Sequence, residues 1–132
     1  MDTVWAVLLL ITAVVTIGYW VVFFLHGAVI VVQEDWYMRF ERAFPVADGF
    51  MAASSAVAAI GLLMDEPFGV AFSLVAAGAL IFLGLMDVTF NVDNGLYRYV
   101  TKSWPMRAEV VIDVWSLGLG VALLVAMVSR VA

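Results

Sequence analysis

The chain has 132 residues, of which 66% are hydrophobic and 13% charged, and its formal net charge is −5. Soluble domains carry about 25% charged residues, so this composition indicates a protein surrounded by membrane lipid. The absence of cysteine excludes disulfides, thiolate catalysis and cysteine-ligated metals. The negative charge argues against nucleic acid or an anionic membrane surface as the main partner.

Four apolar segments follow one another along the chain, over residues 4–32, 46–64, 68–90 and 106–132. Each is close to or above the length of about 20 residues that crosses a bilayer. The first lacks a basic start and is too long for a signal peptide, so we expect it to be uncleaved. The sequence therefore predicts an all-α integral membrane protein, a four-transmembrane-helix bundle that forms one domain over residues 1–132.

Basic residues are concentrated in two of the three predicted loops. Five lie in or beside loops 1 and 3, namely Arg39, Arg42, Arg98, Lys102 and Arg107, while the middle turn at 64–67 has none. The positive-inside rule then predicts cytoplasmic loops 1 and 3 and external termini, in a bacterial or archaeal plasma membrane. The aromatic residues near the loops are expected to form an interfacial belt; these are Trp5, Trp36, Tyr37, Tyr97, Tyr99 and Trp104.

Prolines mark the beginnings of the second, third and fourth helices, because proline is tolerated in a first helical turn. They are Pro45, Pro67 and Pro105, and the predicted N-caps of the last two helices are Asp65 and Ser103.

Loops 1 and 3 share a sequence pattern at an offset of 60 residues. Residues 37–45 and 97–105 both have tyrosine, a basic residue five positions later, an aromatic residue at seven and proline at eight. Either convergent interfacial composition or a duplicated helix–loop–helix hairpin explains this pattern. We favour duplication, which predicts two tandem hairpins related as a parallel pseudo-repeat about the membrane normal. The loop segments are expected to be short amphipathic pieces at the interface.

Each predicted helix carries one seam of small and polar residues at alternating spacings of four and three, which is typical of the interior of a left-handed bundle. The seams comprise positions 12, 16, 19, 23, 26, 30 and 33; 48, 52, 55, 59 and 62; 73, 77, 80, 84, 87, 91 and 94; and 109, 113, 116, 120 and 123. Phe24, Leu83 and Val114 are expected to face lipid or another subunit.

The polar seam residues gather toward loops 1 and 3, where carboxylates within the membrane are costly unless paired or hydrated. We therefore predict a ligand-binding vestibule, with Asp113 as its deepest carboxylate and aromatic Tyr19 and Phe23 at its floor. Its predicted ligand-binding residues are Tyr19, His26, Asp48, Ser55, Asp87, Asn91, Glu109 and Asp113.

Three functions are compatible with this pattern. The favoured one is a homo-oligomer that binds or transports a cation or a small amphipathic molecule. In the second, the protein is an accessory subunit of a larger membrane complex, Asp48 and Glu109 only cap helices, and Arg107 or Lys102 neutralises the remaining carboxylates. The third is a membrane enzyme acting on a lipid or isoprenoid, with Asp87, Asp113 and His26 as acid–base groups. Because no nucleophile–base pair, phosphate loop or zinc-protease motif is found, we predict no catalytic residues, no metal and no cofactor.

Overall fold

The protein is all-helical in a computed structural model, which describes residues 2–26, 31–32 and 34–131. The five α-helices are α1 (Asp2–His26), α2 (Asp35–Glu41), α3 (Phe44–Leu63), α4 (Pro67–Asp93) and α5 (Trp104–Val128), and a short 3₁₀ helix, Leu96–Tyr99, lies between α4 and α5. Four helical stretches are long and apolar enough to span a membrane: α1, α2 together with α3, α4, and α5. The predicted four-helix transmembrane bundle is thus confirmed.

The long helices pack chiefly in the order α1, α3, α4, α5, each against the next. One end of the bundle, called here the terminal end, carries both chain termini and the tight α3–α4 turn. There, Gly61 and Gly69 approach so closely that a Cβ on Gly61 would lie 2.5 Å from the Gly69 backbone. The opposite end, called the connector end, carries α2 and the 3₁₀ helix. This arrangement leaves α1 and α5 flanking the bundle's less tightly packed side.

The predicted helix starts are confirmed at all three prolines, which occupy the first turns of α3, α4 and α5. Ser103 is the N-cap of α5, and its hydroxyl accepts a hydrogen bond from the Met106 amide at 3.4 Å. The prediction for Asp65 is wrong, because Glu66 is the N-cap of α4. Asp65 instead reverses the chain with a left-handed φ of 55°, a conformation that aspartate tolerates better than most residues.

Loop 1 differs from its prediction in two ways. The first span ends earlier than expected, since α1 stops at His26 and Val31 and Val32 are not helical. Tyr37, which was expected in the interfacial aromatic belt, is buried: the inner face of α2 packs on the bundle, with Tyr37 0% and Glu41 4% exposed, while Asp35 and Arg39 on its outer face are exposed. A single turn separates α2 from α3, which keeps α2 close to the bundle.

Most of the predicted seams are buried, and Phe24 and Val114 are exposed as expected. Leu83 was expected to face lipid but is buried, because α4 packs between α3 and α5 and needs a wider inner face than one seam. His26 is exposed, since it is the last residue of α1 and lies beyond Phe23, the last buried residue of that helix. Asn94 is exposed at the C-cap of α4; positions 30 and 33 fall outside the described residues.

The two copies of the sequence repeat are similar in placement but not in local structure. Each connects a pair of long helices, α1 with α3 and α4 with α5, and each ends at a proline in a first helical turn. The first copy forms the seven-residue helix α2, whereas the second forms a four-residue 3₁₀ helix. The two hairpins are therefore similar in element order while their connectors differ, and the duplication stays a prediction.

Candidate functional site

A cavity of about 270 Å³ lies inside the bundle, in its connector half. All four long helices and α2 contribute to its wall. Its polar lining residues are Thr12, Thr16, Tyr19, Trp20, Glu41, Asp48, Asp87, Glu109, Asp113, Trp115 and Ser116. Because its volume is close to the lower limit of small-molecule pockets, about 300 Å³, it can hold a small ligand.

Five carboxylates form the acidic end of the cavity, and three of them lie close together. One oxygen each from Glu41, Asp87 and Glu109 lies within 4.8 Å of the other two. Asp113 lies beside Asp87, and Asp48 completes the set from the first turns of α3. The α2 helix and three long helices thus bring their carboxylates to one level of the bundle.

Hydrogen bonds from aromatic side chains hold three of these carboxylates in place. The Trp20 indole donates to Asp48 at 2.7 Å. The Tyr37 hydroxyl donates to Oε1 of Glu109 at 3.2 Å, and that of Tyr97 to Asp113 at 2.6 Å. The same two tyrosines begin the two copies of the sequence repeat.

These hydrogen bonds affect both the carboxylates that accept them and the tyrosine hydroxyls that donate them. Asp48 and Glu109 are bound by side chains from other elements, so they do more than cap their own helices. Tyr97 lies outside the membrane-spanning segments; partial burial, followed by its hydrogen bond to Asp113, raises the pKa of its hydroxyl above the usual value.

No basic side chain pairs with the acidic end among the described residues. The Arg107 guanidinium, which was a predicted partner of Asp87 or Asp113, donates instead to the carbonyl oxygens of Val100 and Thr101 at 2.8 Å. The ion pair found in the described part of the chain joins Arg130 and Asp2 at the terminal end. Asp48, Asp87, Glu109 and Asp113 therefore accept hydrogen bonds, but no cationic side chain among the described residues neutralises them.

Two carboxylate oxygens at this site receive no hydrogen bond from another group of the described structure while both side chains are ionised, and only a proton shared between the two carboxyl groups would join them. They are Oε1 of Glu41 and Oε2 of Glu109, whose residues are 4% and 3% exposed. A buried polar atom without a partner is costly, and more so when it is charged. Both residues line the cavity, so a cation placed there would satisfy the two oxygens together.

The rest of the cavity is apolar, and it lies against the α1–α5 side of the bundle. Its apolar lining residues are Ile11, Val15, Phe44, Met51, Leu80, Leu83, Val111 and Ile112. Those from α1 and α5 are exposed on the bundle surface as well. Helix faces of this kind contact acyl chains in a membrane, so only these side chains separate the cavity from the α1–α5 surface.

The structure brings together five of the eight predicted site residues. Tyr19, Asp48, Asp87, Glu109 and Asp113 line the cavity, and Asp87 and Asp113 lie on the same side of the bundle, as expected.

Three predicted site residues lie elsewhere. Ser55 is buried in α3, and its hydroxyl donates a hydrogen bond to the Met51 sulfur at 3.5 Å. Asn91 is buried one turn beyond Asp87, to which its amide donates at 3.5 Å. His26 is exposed and lies outside the cavity lining. Phe23, expected at the floor, packs instead in the core beside Trp20.

Glu41 was not among the predicted site residues, because loop 1 was expected to lie at the interface. A signal was present: the seam of α3 continues upstream through Phe44, Glu41 and Tyr37 at spacings of four, three and four. This continuation identifies α2 as part of the bundle interior. The donors Trp20 and Tyr97 had no comparable signal, because their spacing does not identify a partner on another helix.

No protein-family model, curated protein or solved structure matches this chain. Its function is therefore inferred from the geometry and chemistry of the cavity.

Proposed function

We propose that the protein binds a small amphipathic cation, with the charged group at the acidic end of the cavity and the apolar body between α1 and α5. One observation carries this proposal. Glu41 and Glu109 direct partnerless, buried oxygens into a cavity that contains five carboxylates and no protein cation among the described residues. A ligand cation would supply the missing partner.

The shape of the cavity supports an amphipathic ligand over a small, fully hydrated one. Its acidic residues gather at the connector end, while the middle of the cavity is lined by aliphatic side chains and by Trp115. Aromatic faces such as that of Tyr19 also attract cations. An alkylammonium ion matches both parts, since its charge meets the carboxylates and its chain meets the aliphatic wall.

We further propose that the acidic end faces the cytoplasm of a plasma membrane. Five of the six basic residues lie in or beside the two connectors at that end, which favours retention of those connectors on the inner side. A ligand would then exchange with the bilayer through the α1–α5 side and with the cytoplasm at the acidic end. We favour transport of the ligand along this path, carried out by a homo-oligomer of the chain.

Binding of radiolabelled octylamine tests the proposal, with the protein in nanodiscs of uncharged lipid and empty nanodiscs as background. Octylamine is charged near neutral pH, whereas octanol has a similar shape and no charge. We expect saturable binding of octylamine but not of octanol, and weakening of about tenfold or more for Asp87→Asn, which corresponds to at least about 1.4 kcal/mol. Asp93→Asn, at an exposed position on the same helix, is the matched control.

Equal binding of octanol and octylamine would contradict a role for the carboxylates. Absence of both, together with stable co-purification of another membrane protein, would favour the accessory-subunit function instead. Turnover of a bound lipid that is lost in Asp113→Asn would favour the enzyme.

A further inference from the structure

We infer that, in the absence of an organic cation, Glu41, Asp87 and Glu109 bind one divalent metal ion at the acidic end of the cavity. The inference rests on the proposed function only in treating this end as a cation site. It goes against the sequence-based expectation of no metal, which was made without Glu41.

The geometry of the three carboxylates fits a single ion. One oxygen from each residue lies within 4.8 Å of one oxygen from each of the other two. Two oxygens on opposite sides of a metal bound at 2.1 to 2.6 Å are about 4.2 to 5.2 Å apart, and neighbouring ligands are closer. Small side-chain adjustments would therefore place all three oxygens around a common centre, without movement of the helices that carry them.

The surrounding hydrogen bonds leave suitable oxygens free for a metal. Tyr37 occupies Oε1 of Glu109 and leaves Oε2 without a partner. Oε1 of Glu41 is also without a partner, and both residues are more than nine-tenths buried. On Asp87, the Asn91 amide donates to Oδ2. Donors of this kind orient metal-binding carboxylates in known sites.

The donor set indicates the class of metal. All three ligands are carboxylate oxygens, which suit hard cations such as Ca²⁺, Mg²⁺ and Mn²⁺. The exposed His26 lies outside the cavity lining, and the chain contains no cysteine, so the softer ligands typical of zinc and copper sites are not part of this set. Three negative charges also exceed the two of the ion, and one carboxyl group in the set can keep a proton.

Electron paramagnetic resonance of Mn²⁺ tests the inference, because the signal of the free aqueous ion falls when the ion binds. The protein is placed in nanodiscs of uncharged lipid and titrated with Mn²⁺ alone. We expect one bound ion per chain, and affinity at least tenfold weaker in Glu41→Gln, Asp87→Asn and Glu109→Gln. The matched controls Glu34→Gln and Asp93→Asn change exposed carboxylates near the same end and should bind as the wild type does.

Glu41→Gln, Asp87→Asn and Glu109→Gln are called the core variants. If one of them does not fold, competition between octylamine and Mn²⁺ on the wild-type protein still tests the inference. Octylamine should release Mn²⁺ from the wild-type protein, while octanol should not, because only the amine carries a charge to the carboxylates. The inference is overturned if the wild type binds no Mn²⁺ up to millimolar concentration, or if the control variants remove binding and the core variants do not. Octylamine binding without Mn²⁺ binding would overturn the metal site alone. Mn²⁺ binding without octylamine binding would overturn the proposed ligand and leave the metal site standing.

Discussion

The indole N–H of Trp115 on α5 donates a hydrogen bond to the hydroxyl of Thr12 on α1, at 2.9 Å. It joins the two helices that flank the cavity, near the middle of each. A second link between them is the ion pair of Arg130 with Asp2 at the terminal end, at 2.7 Å. The α1–α5 side is thus tied at its middle and at its terminal end.

Trp115→Phe should loosen this side of the bundle. Phenylalanine keeps most of the aromatic contact but removes the donor, and a neutral hydrogen bond contributes about 1 kcal/mol. We expect a comparable loss of stability and faster dissociation of octylamine, measured by thermal unfolding and by washout of the labelled ligand. Trp104→Phe changes an exposed tryptophan outside the cavity and is the control; equal effects of both would argue against a tie between α1 and α5.

Tyr37→Phe should cost more stability than Tyr97→Phe. The Tyr37 hydroxyl is fully buried, donates to Glu109 and accepts a bond from the Val31 amide. Its removal leaves the buried Glu109 oxygen without that donor, at a cost of about 1 to 3 kcal/mol, and also frees the part-buried Val31 amide. Tyr97 is only half-buried, so water can replace it on Asp113. Unfolding by denaturant, with the protein in the same detergent, gives the comparison, and a reversed order would contradict the burial of α2.

The helices and their inner faces could be predicted because lipid imposes a simple rule. Apolar stretches of membrane length must be helical, and the small and polar seams must avoid the acyl chains. The prediction that Leu83 faces lipid was wrong because a seam describes one line of contact, whereas α4 packs against α3 on one side and α5 on the other. The predicted end of the first span was wrong because Val31 and Val32 are apolar enough to continue it. Hydropathy does not mark where the chain turns.

The candidate site was predicted less completely than the fold. Asp48, Asp87, Glu109 and Asp113 could be placed at one level from helix rise alone. The hydrogen bonds of Trp20, Tyr37 and Tyr97 depend on which side chains meet across helices, and composition does not contain that information. Tyr37 was expected at the interface because tyrosine is common there, yet its hydroxyl donates a hydrogen bond to the buried carboxylate of Glu109.

Tyr97 predicts a loss of stability at alkaline pH. Burial and its bond to Asp113 raise the pKa of Tyr97, while in the unfolded chain it titrates near a pKa of about 10. Above about pH 10 the unfolded state therefore loses this proton first, and stability falls as pH rises. We expect denaturant midpoints to fall less steeply above that pH in Tyr97→Phe than in wild type. Parallel curves would indicate that Tyr97 is not shielded.

The proposed orientation can be tested with single cysteines, since the chain has none of its own. Asp2→Cys and Glu66→Cys, at the terminal end, should react with an impermeant maleimide added to intact cells. Arg42→Cys, between α2 and α3, should react only after the cells are opened. The opposite pattern would place the acidic end outside, and labelling of all three in intact cells would contradict a membrane-spanning bundle.

Glu41→Gln should stabilise the protein in the presence of a chelator. Without a bound cation, three carboxyl groups with one oxygen each within 4.8 Å cannot all ionise without mutual repulsion, and glutamine removes one of the ionisable groups. Its amide can also donate to Oε2 of Glu109, which has no partner among the described residues; one such bond contributes about 1 kcal/mol. We expect a higher midpoint of thermal unfolding than in wild type in EDTA at pH 8, and no change in Glu34→Gln. Added Mn²⁺ should reverse the order, because it stabilises the wild type through binding and has a weakened site in the variant. A midpoint that falls in EDTA would mean that the Glu41 charge is favourable in the folded protein and that a group other than a bound cation compensates it.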